Sequence, residues 1–204
     1  MKFISTVYYT SGASVLKSQE RGSLILHQTK KRSSSKKGQI SRIPKDFTVA
    51  VEDESIFIHD ALIRRRMWTP EGIRPIVTVT GSHQRTCVFG TITIDGKQLF
   101  RQYDVFNQYV FLKYLKELQR KFRKLLLFID RAVQHRSSIM VRKHLEENKD
   151  VIRVEYLPKG SSDYNALEEC WRQGKDDLLV SKYYPKFFNL KSAIASYYRT
   201  RRSN

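Results

Sequence analysis

Three acidic residues carry the strongest chemical signal in this 204-residue chain. Asp53 closes a β-rich run, Phe47–Asp53 (FTVAVED). Asp130 directly follows a short apolar run, Leu125–Ile129 (LLLFI), and Glu168 lies on a segment with helical apolar spacing that runs through Trp171. Carboxylates at the ends of neighbouring strands, joined by a third from a helix packed across that edge, converge on one point. Such charges repel one another strongly where the effective dielectric is low. Hard divalent cations with oxygen ligands relieve the repulsion, and Mg²⁺ is the usual occupant. Two ions roughly 3.5–4 Å apart can activate a water or a 3′-hydroxyl and stabilise the leaving oxygen of an in-line phosphoryl transfer. The expectation is therefore two Mg²⁺ (or Mn²⁺) ions held by Asp53, Asp130 and Glu168.

Neighbouring acids are separated by phase. On the first strand Asp53 shares a face with Phe47, Val49 and Val51, while Glu52 and Glu54 face the other way. On the last acidic helix Leu167, Cys170 and Trp171 form the inward stripe; Glu168 borders it and Glu169 points nearly away. Glu168 is preferred on that ground, with Glu169 as the alternative. Taken alone, any one aspartate at a strand end reads equally well as a helix cap or a surface charge.

The elements that must position these acids follow from the pattern. Phe47–Asp53, Ile76–Thr80, Thr86–Ile94 (TCVFGTITI) and Gln98–Tyr103 read as strands, the last two joined by Asp95-Gly96, a strong hairpin signal. An amphipathic helix spans about Asn107 to Lys124, with Phe111, Leu115, Leu118 and Phe122 on one stripe. Leu125–Ile129 reads as a buried strand. A helix over Ser137–Glu147, a strand over Val151–Tyr156 and a helix capped by Ser161 or Ser162 complete the order. Strands reached through crossover helices join a sheet in parallel. The predicted fold is thus α/β: a mixed sheet of three antiparallel strands, then two parallel strands, flanked by helices. That succession is found in ribonuclease-H-like domains.

Charge identifies the partner class. Lys plus Arg number 38 against 20 Asp plus Glu, a net charge of +18, with a pI near 10.0. A domain this basic typically meets a polyanion, because phosphate contacts that release counterions dominate nucleic-acid affinity. An acidic pocket inside a basic protein suits a protein whose surface holds DNA while its acids hold metal. The two cysteines, Cys87 and Cys170, form neither a disulfide framework nor a zinc cluster, which fits a reducing compartment. No window approaches the roughly 20 apolar residues of a membrane span, so no membrane partner is expected. Thr6, Thr10, Ser11, Gly12 and Ser14 interrupt any signal-peptide core.

Residues 1–46 differ from the rest, with ten Lys/Arg against Glu20 and Asp46. Lys30, Lys31, Arg32, Lys36 and Lys37 lie in a low-complexity run that reads as a basic, poorly structured arm, either a DNA-backbone contact or a solvated linker. Residues 47–204 then form the globular unit.

The residues now become more specific. Val51–Ser55 (VEDES), Phe128–His135 (FIDRAVQH) and Leu157–Trp171 (LPKGSSDYNALEECW) resemble the three catalytic blocks of the mariner-like DDE transposase superfamily. The resemblance is nearer to its prokaryotic insertion-sequence branch, the 630 type. Arg64–Gly72 (RRRMWTPEG) is similar to that family's insertion after the first strand, and Leu190–Arg202 to its C-terminal helix. The similarity spans about residues 47–202.

The resemblance implies a catalytic domain for cut-and-paste transposition: nicking at the transposon end, then attack of the freed 3′-hydroxyl on target DNA. It assigns the metal-binding triad to Asp53, Asp130 and Glu168. It implies DNA partners (terminal inverted repeats and target), a homodimer during catalysis and a cytoplasmic, nucleoid-associated prokaryotic setting. His135 matches the histidine after the second aspartate and is an auxiliary candidate, as is Glu169; a structural role is the alternative for His135. Arg64, Arg65, Arg66 and Trp68 join the basic arm as candidate DNA contacts, with core packing equally open for Trp68.

Departures from the pattern are Arg131 in place of Asn, Lys159, Ser162 and Ala166 in place of Pro, and a gap of 38 positions between Asp130 and Glu168, slightly longer than usual. Residues 1–46 are too few for the family's two helix-turn-helix modules. A separate helix-turn-helix protein or upstream reading-frame product would then supply end recognition, or this copy is a truncated relic. Two alternatives to a transposase remain at this point: a catalytically silent DNA-binding protein, and another ribonuclease-H-like nuclease such as one cutting RNA–DNA hybrids.

Overall fold

β1, Thr48–Ile58, organises the sheet because it is paired on both sides. Against β2 (Arg85–Thr93) it runs antiparallel from Ala50↔Thr93 to Ile58↔Arg85. Against β4 (Leu125–Ile129) it runs parallel, but only from Thr48↔Leu125 to Val51↔Phe128. β1 therefore outruns β4, and its second half is paired on one side alone. The computed structural model describes residues 46–60, 71, 76–130, 138–157 and 166–200.

β2 turns into β3 (Gln98–Tyr103) through the expected Asp95-Gly96 hairpin. Gly96 takes a φ of 83°, a left-handed conformation that costs a side chain-bearing residue and not glycine. The Gly96 amide donates to the Thr93 carbonyl at 3.0 Å, and the Thr93 amide to the Lys97 carbonyl at 2.8 Å, closing the turn. α1 (Gln108–Phe122) carries the chain to β4, and α2 (Ile139–Glu147) to β5 (Ile152–Tyr156), which pairs parallel with β4. The sheet order is β3-β2-β1-β4-β5. α3 (Ala166–Leu179) and α4 (Phe187–Thr200) follow. This is the ribonuclease-H-like arrangement, with three antiparallel strands and two parallel ones.

Side-chain alternation assigns each layer. On one face Phe111, Tyr114, Leu115 and Leu118 of α1 bury Phe89, Leu99, Leu125, Leu127 and Ile129. On the other, Leu167 and Trp171 of α3 and Leu190, Ile194 and Tyr198 of α4 bury Phe57, Val88 and Phe100. All five residues of β4 are buried, as an inner parallel strand requires. Helix starts are fixed locally: the Asn107 side chain accepts from the amides of Tyr109 (3.1 Å) and Val110 (3.0 Å), and Ser138 from that of Val141 (3.2 Å). Among the described residues no helix is long and apolar enough to cross a membrane.

Four expectations need correction. β1 does not end at Asp53; its ladder to β2 continues for five more residues. Ile76–Thr80 is not a strand. Ile76 is 94% exposed, and the segment is tied back by Thr80, whose amide donates to the Asp60 carboxylate (2.9 Å) and whose hydroxyl donates to the His59 carbonyl (2.6 Å). The acidic helix also runs on past Trp171 to Leu179, and the last helix starts at Phe187, not Leu190. The expected Ser161 or Ser162 cap lies outside the described residues.

Candidate active site

The β1–β4 register builds the site. The offset that pairs Val51 with Phe128 sets Asp53 level with Asp130, two positions past the last paired residues. Parallel register partners share a face, so both carboxylates rise on the side covered by α3. They stand where β4 has ended and β1 continues. Asp53 is thus a mid-strand residue level with the point where its neighbour strand has stopped.

Asp53 is held from the opposite direction. The indole Nε1–H of Trp171, on α3, donates to Asp53 Oδ2 at 2.9 Å. Trp171 is 5% exposed and wedged edge-on against Phe100 (5.7 Å, 80°) and Tyr198 (5.6 Å, 67°). The ring reaches Asp53 by crossing β2 at Gly90, the register partner of Asp53. A Cβ on Gly90 would lie 2.7 Å from both Trp171 Cη2 and Phe100 Cε1 and 2.9 Å from Leu167 Cδ2. Only a residue without a side chain leaves that passage open.

Electrostatics mark the same residue. Burial, above all, pushes the Asp53 carboxyl up to about 7 from its ordinary 3.8. The Trp171 bond and a backbone hydrogen bond at Glu54 oppose this, while the nearby charges of Glu54 and Asp130 add to it. A carboxylate strained in this way, facing a second one, is a place where a cation is favoured. Asp130 itself is exposed.

The third acid is less tightly assembled. Glu168 lies in the first turn of α3, three residues before Trp171, and is exposed. Glu169, expected to point away, is the less exposed of the two. Its carboxylate bonds to Arg172 (2.6 and 2.8 Å) and to Gln173 (2.8 Å) on the next turn of its own helix. Among the described residues no three of His, Cys, Asp or Glu are grouped closely enough to hold a metal ion. The structure therefore brings Asp53 and Asp130 together and leaves Glu168 on the adjoining helix turn. His135, Arg64, Arg65, Arg66, Trp68, Lys30, Lys31, Arg32, Lys36 and Lys37 lie outside the described residues.

Two residues that matter here were not singled out from sequence. Trp171 was placed on the inward stripe, but nothing in the spacing gave its bond to Asp53. Gly90 carried a usable signal: a lone glycine inside a strand often marks close approach of another group.

The topology defines a ribonuclease-H-like fold, with two aspartates side by side at the end of β4. The family model for the DDE superfamily endonucleases matches residues 48–191, and the chain belongs to that family. Its structure is similar to those of the Mos1 transposase. These include a pre-cleavage Mos1 transpososome (13% identity, TM-score 0.56), the Mos1 mariner paired-end complex with Mn (14%, 0.55) and the Mos1 strand transfer complex (13%, 0.53). Each match covers 100% of this chain and 60%, 61% and 59% of the respective Mos1 chain, so this chain spans about three fifths of their length. At such identities the likeness is one of fold. No curated protein sequence matches the chain.

Proposed function

We propose that the chain is the catalytic domain of a DNA transposase, cleaving and joining DNA strands with divalent cations held by Asp53, Asp130 and Glu168. The observation that carries this reading is the register that sets Asp53 level with Asp130 where β4 ends. The donor set fits a hard cation, since it consists of carboxylate oxygens and its half-buried member, Asp53, is pushed toward neutrality by desolvation and by neighbouring acids. Glu168 is favoured as the third ligand because Glu169 is engaged by Arg172 and Gln173. Mos1 complexes with Mn and with Mg support Mg²⁺ or Mn²⁺ as the ions.

The chain's own residues divide the work. Asp53 and Asp130 present oxygens from adjoining strand positions on a rigid sheet, and Glu168 approaches from α3. Bound there, the cations would supply Lewis-acid stabilisation of charge building on the phosphoryl oxygens. The net charge of +18 draws in the DNA backbone, and Lys30, Lys31, Arg32, Lys36, Lys37, Arg64, Arg65, Arg66 and Trp68 are the proposed contacts. Residues 1–46 act as a basic arm to a catalytic domain of residues 47–204, and His135, which follows the second aspartate in sequence, is an auxiliary group. The paired-end Mos1 complex supports assembly as a dimer on transposon ends. The sequence blocks favour the prokaryotic insertion-sequence branch, with end recognition supplied by a helix-turn-helix module.

The test is cleavage of a matched transposon end by purified protein with Mg²⁺ or Mn²⁺, alone and with end-binding modules supplied. Cutting that disappears in Asp53→Ala, Asp130→Ala and Glu168→Ala sustains the proposal. No cutting under either condition ends it. A second reading, DNA binding without cleavage, is favoured by the position of Glu168, which does not join Asp53 and Asp130 in a group of three acids close enough to hold a metal ion among the described residues. It predicts salt-sensitive DNA binding that Asp53→Ala and Asp130→Ala leave unchanged, and no cutting.

A further inference from the structure

We propose that Trp171 is a positioning residue for the Asp53 carboxylate: its indole N–H occupies Oδ2 and so reserves Oδ1 for a divalent cation. This rests on the reading of Asp53 as a metal ligand. A carboxylate has two oxygens with about four acceptor sites and turns readily about its terminal bond. Left free, it can meet a cation through either oxygen or through both. Mg²⁺ demands near-octahedral geometry, which the narrow bite of a two-oxygen contact fits poorly. The indole donor on Oδ2, together with the backbone hydrogen bond that Asp53 accepts at Glu54, narrows that choice.

Indole suits this role because it donates and cannot accept, so it never competes for the cation. The donor is held still by its surroundings. Phe100 and Tyr198 grip the ring edge-on, and the Gly90 passage sets the line along which it crosses β2. The Nε1–Oδ2 distance of 2.9 Å is ordinary for N–H···O, so the bond is made without distortion. α4, which supplies Tyr198, thereby bears on the ligand although it contributes no acid to it. A purely structural role would need the bond only to satisfy a buried indole N–H, and would leave cation affinity untouched.

The test is cation binding followed on the whole chain, with two readouts. In Trp171→Phe an aromatic ring is kept, although a smaller one, and the donor is lost. Mn²⁺ affinity by titration calorimetry should fall by about 10- to 100-fold, the usual effect of losing a hydrogen bond to a ligating group. Separately, in ¹⁵N-labelled wild-type protein, the Trp171 indole N–H resonance should move on Mg²⁺ addition with the midpoint of binding. The chain has two tryptophans, and a Trp68→Phe variant identifies which signal is Trp171. This readout needs no change at Trp171 and survives a Trp171→Phe that fails to fold. A folded Trp171→Phe with wild-type Mn²⁺ affinity, or an indole signal indifferent to Mg²⁺ while binding occurs, overturns the inference. Asp53→Ala separates the two levels: if it binds Mn²⁺ as wild type does, the metal reading fails. If it abolishes binding while Trp171→Phe does not weaken it, only the positioning role fails.

Discussion

Asp53 and Asp130 sit level on adjoining strands, yet their surroundings differ sharply. Asp53 is embedded between β2 and α3, bonded to a buried indole and pushed up to about 7. Asp130 stands exposed beyond the end of β4. One oxygen donor is thus half-buried and held against the core, and the other is offered at its rim. Embedding fixes direction at a cost in charge stability, and exposure keeps the charge cheap at a cost in orientation. A site that combines them has one rigid reference point and one that adjusts.

The contrast can be broken most severely at the frame around Asp53. Trp171→Ala removes a buried ring together with its bond, and should destabilise the fold by about 3–5 kcal/mol, read by urea unfolding. Gly90→Ala should cost about 1–3 kcal/mol, because the new Cβ meets two aromatic rings and Leu167 at under 3.0 Å. A fully stable Gly90→Ala would show that the passage is looser than described.

Titration sharpens the comparison further. Because the folded Asp53 value is raised, its contribution to stability is complete below about 3.8 and is lost as pH rises through about 7. Without divalent cations, the Tm of wild type should therefore fall relative to that of Asp53→Asn between pH 5 and 8. Mg²⁺ at pH 8 should restore the wild-type Tm and leave Asp53→Ala unmoved. Parallel Tm curves for wild type and Asp53→Asn would contradict the assigned burial. The smallest effect belongs to Asp130→Asn, expected within about 0.5 kcal/mol of wild type in the same unfolding assay, as for most exposed positions.

Much of this architecture is readable in the residues themselves. LLLFI announces an inner strand because both its faces are apolar, and Asp95-Gly96 announces a hairpin because its turn needs glycine. The level placement of the two aspartates was legible because Asp53 closes one β-rich run and Asp130 directly follows another. The true extent of β1 did not follow. Glu52 and Glu54 break the apolar alternation, whereas the backbone ladder to β2 is indifferent to side chains and continues. Ile76–Thr80 misled for the reverse reason: its alternation resembles a strand, but strand formation needs a partner edge, and the segment's bonds go to His59 and Asp60 instead. The Trp171–Asp53 bond joins residues 118 positions apart, a pairing that no local pattern encodes.

The shared offset of β1 and β4 also governs how such a sequence can drift. Strand side chains alternate, so inserting or deleting one residue within Thr48–Glu52 or Leu125–Ile129 would turn one aspartate to the opposite face of the sheet. Substitutions there are graded in their consequences, while a single-residue change in length is all or nothing. The connections between the strands escape this rule, since they can lengthen without altering which face either acid occupies. Relatives of this chain should accordingly vary in the spacing between the two aspartates, and hold constant the few residues that lead into each.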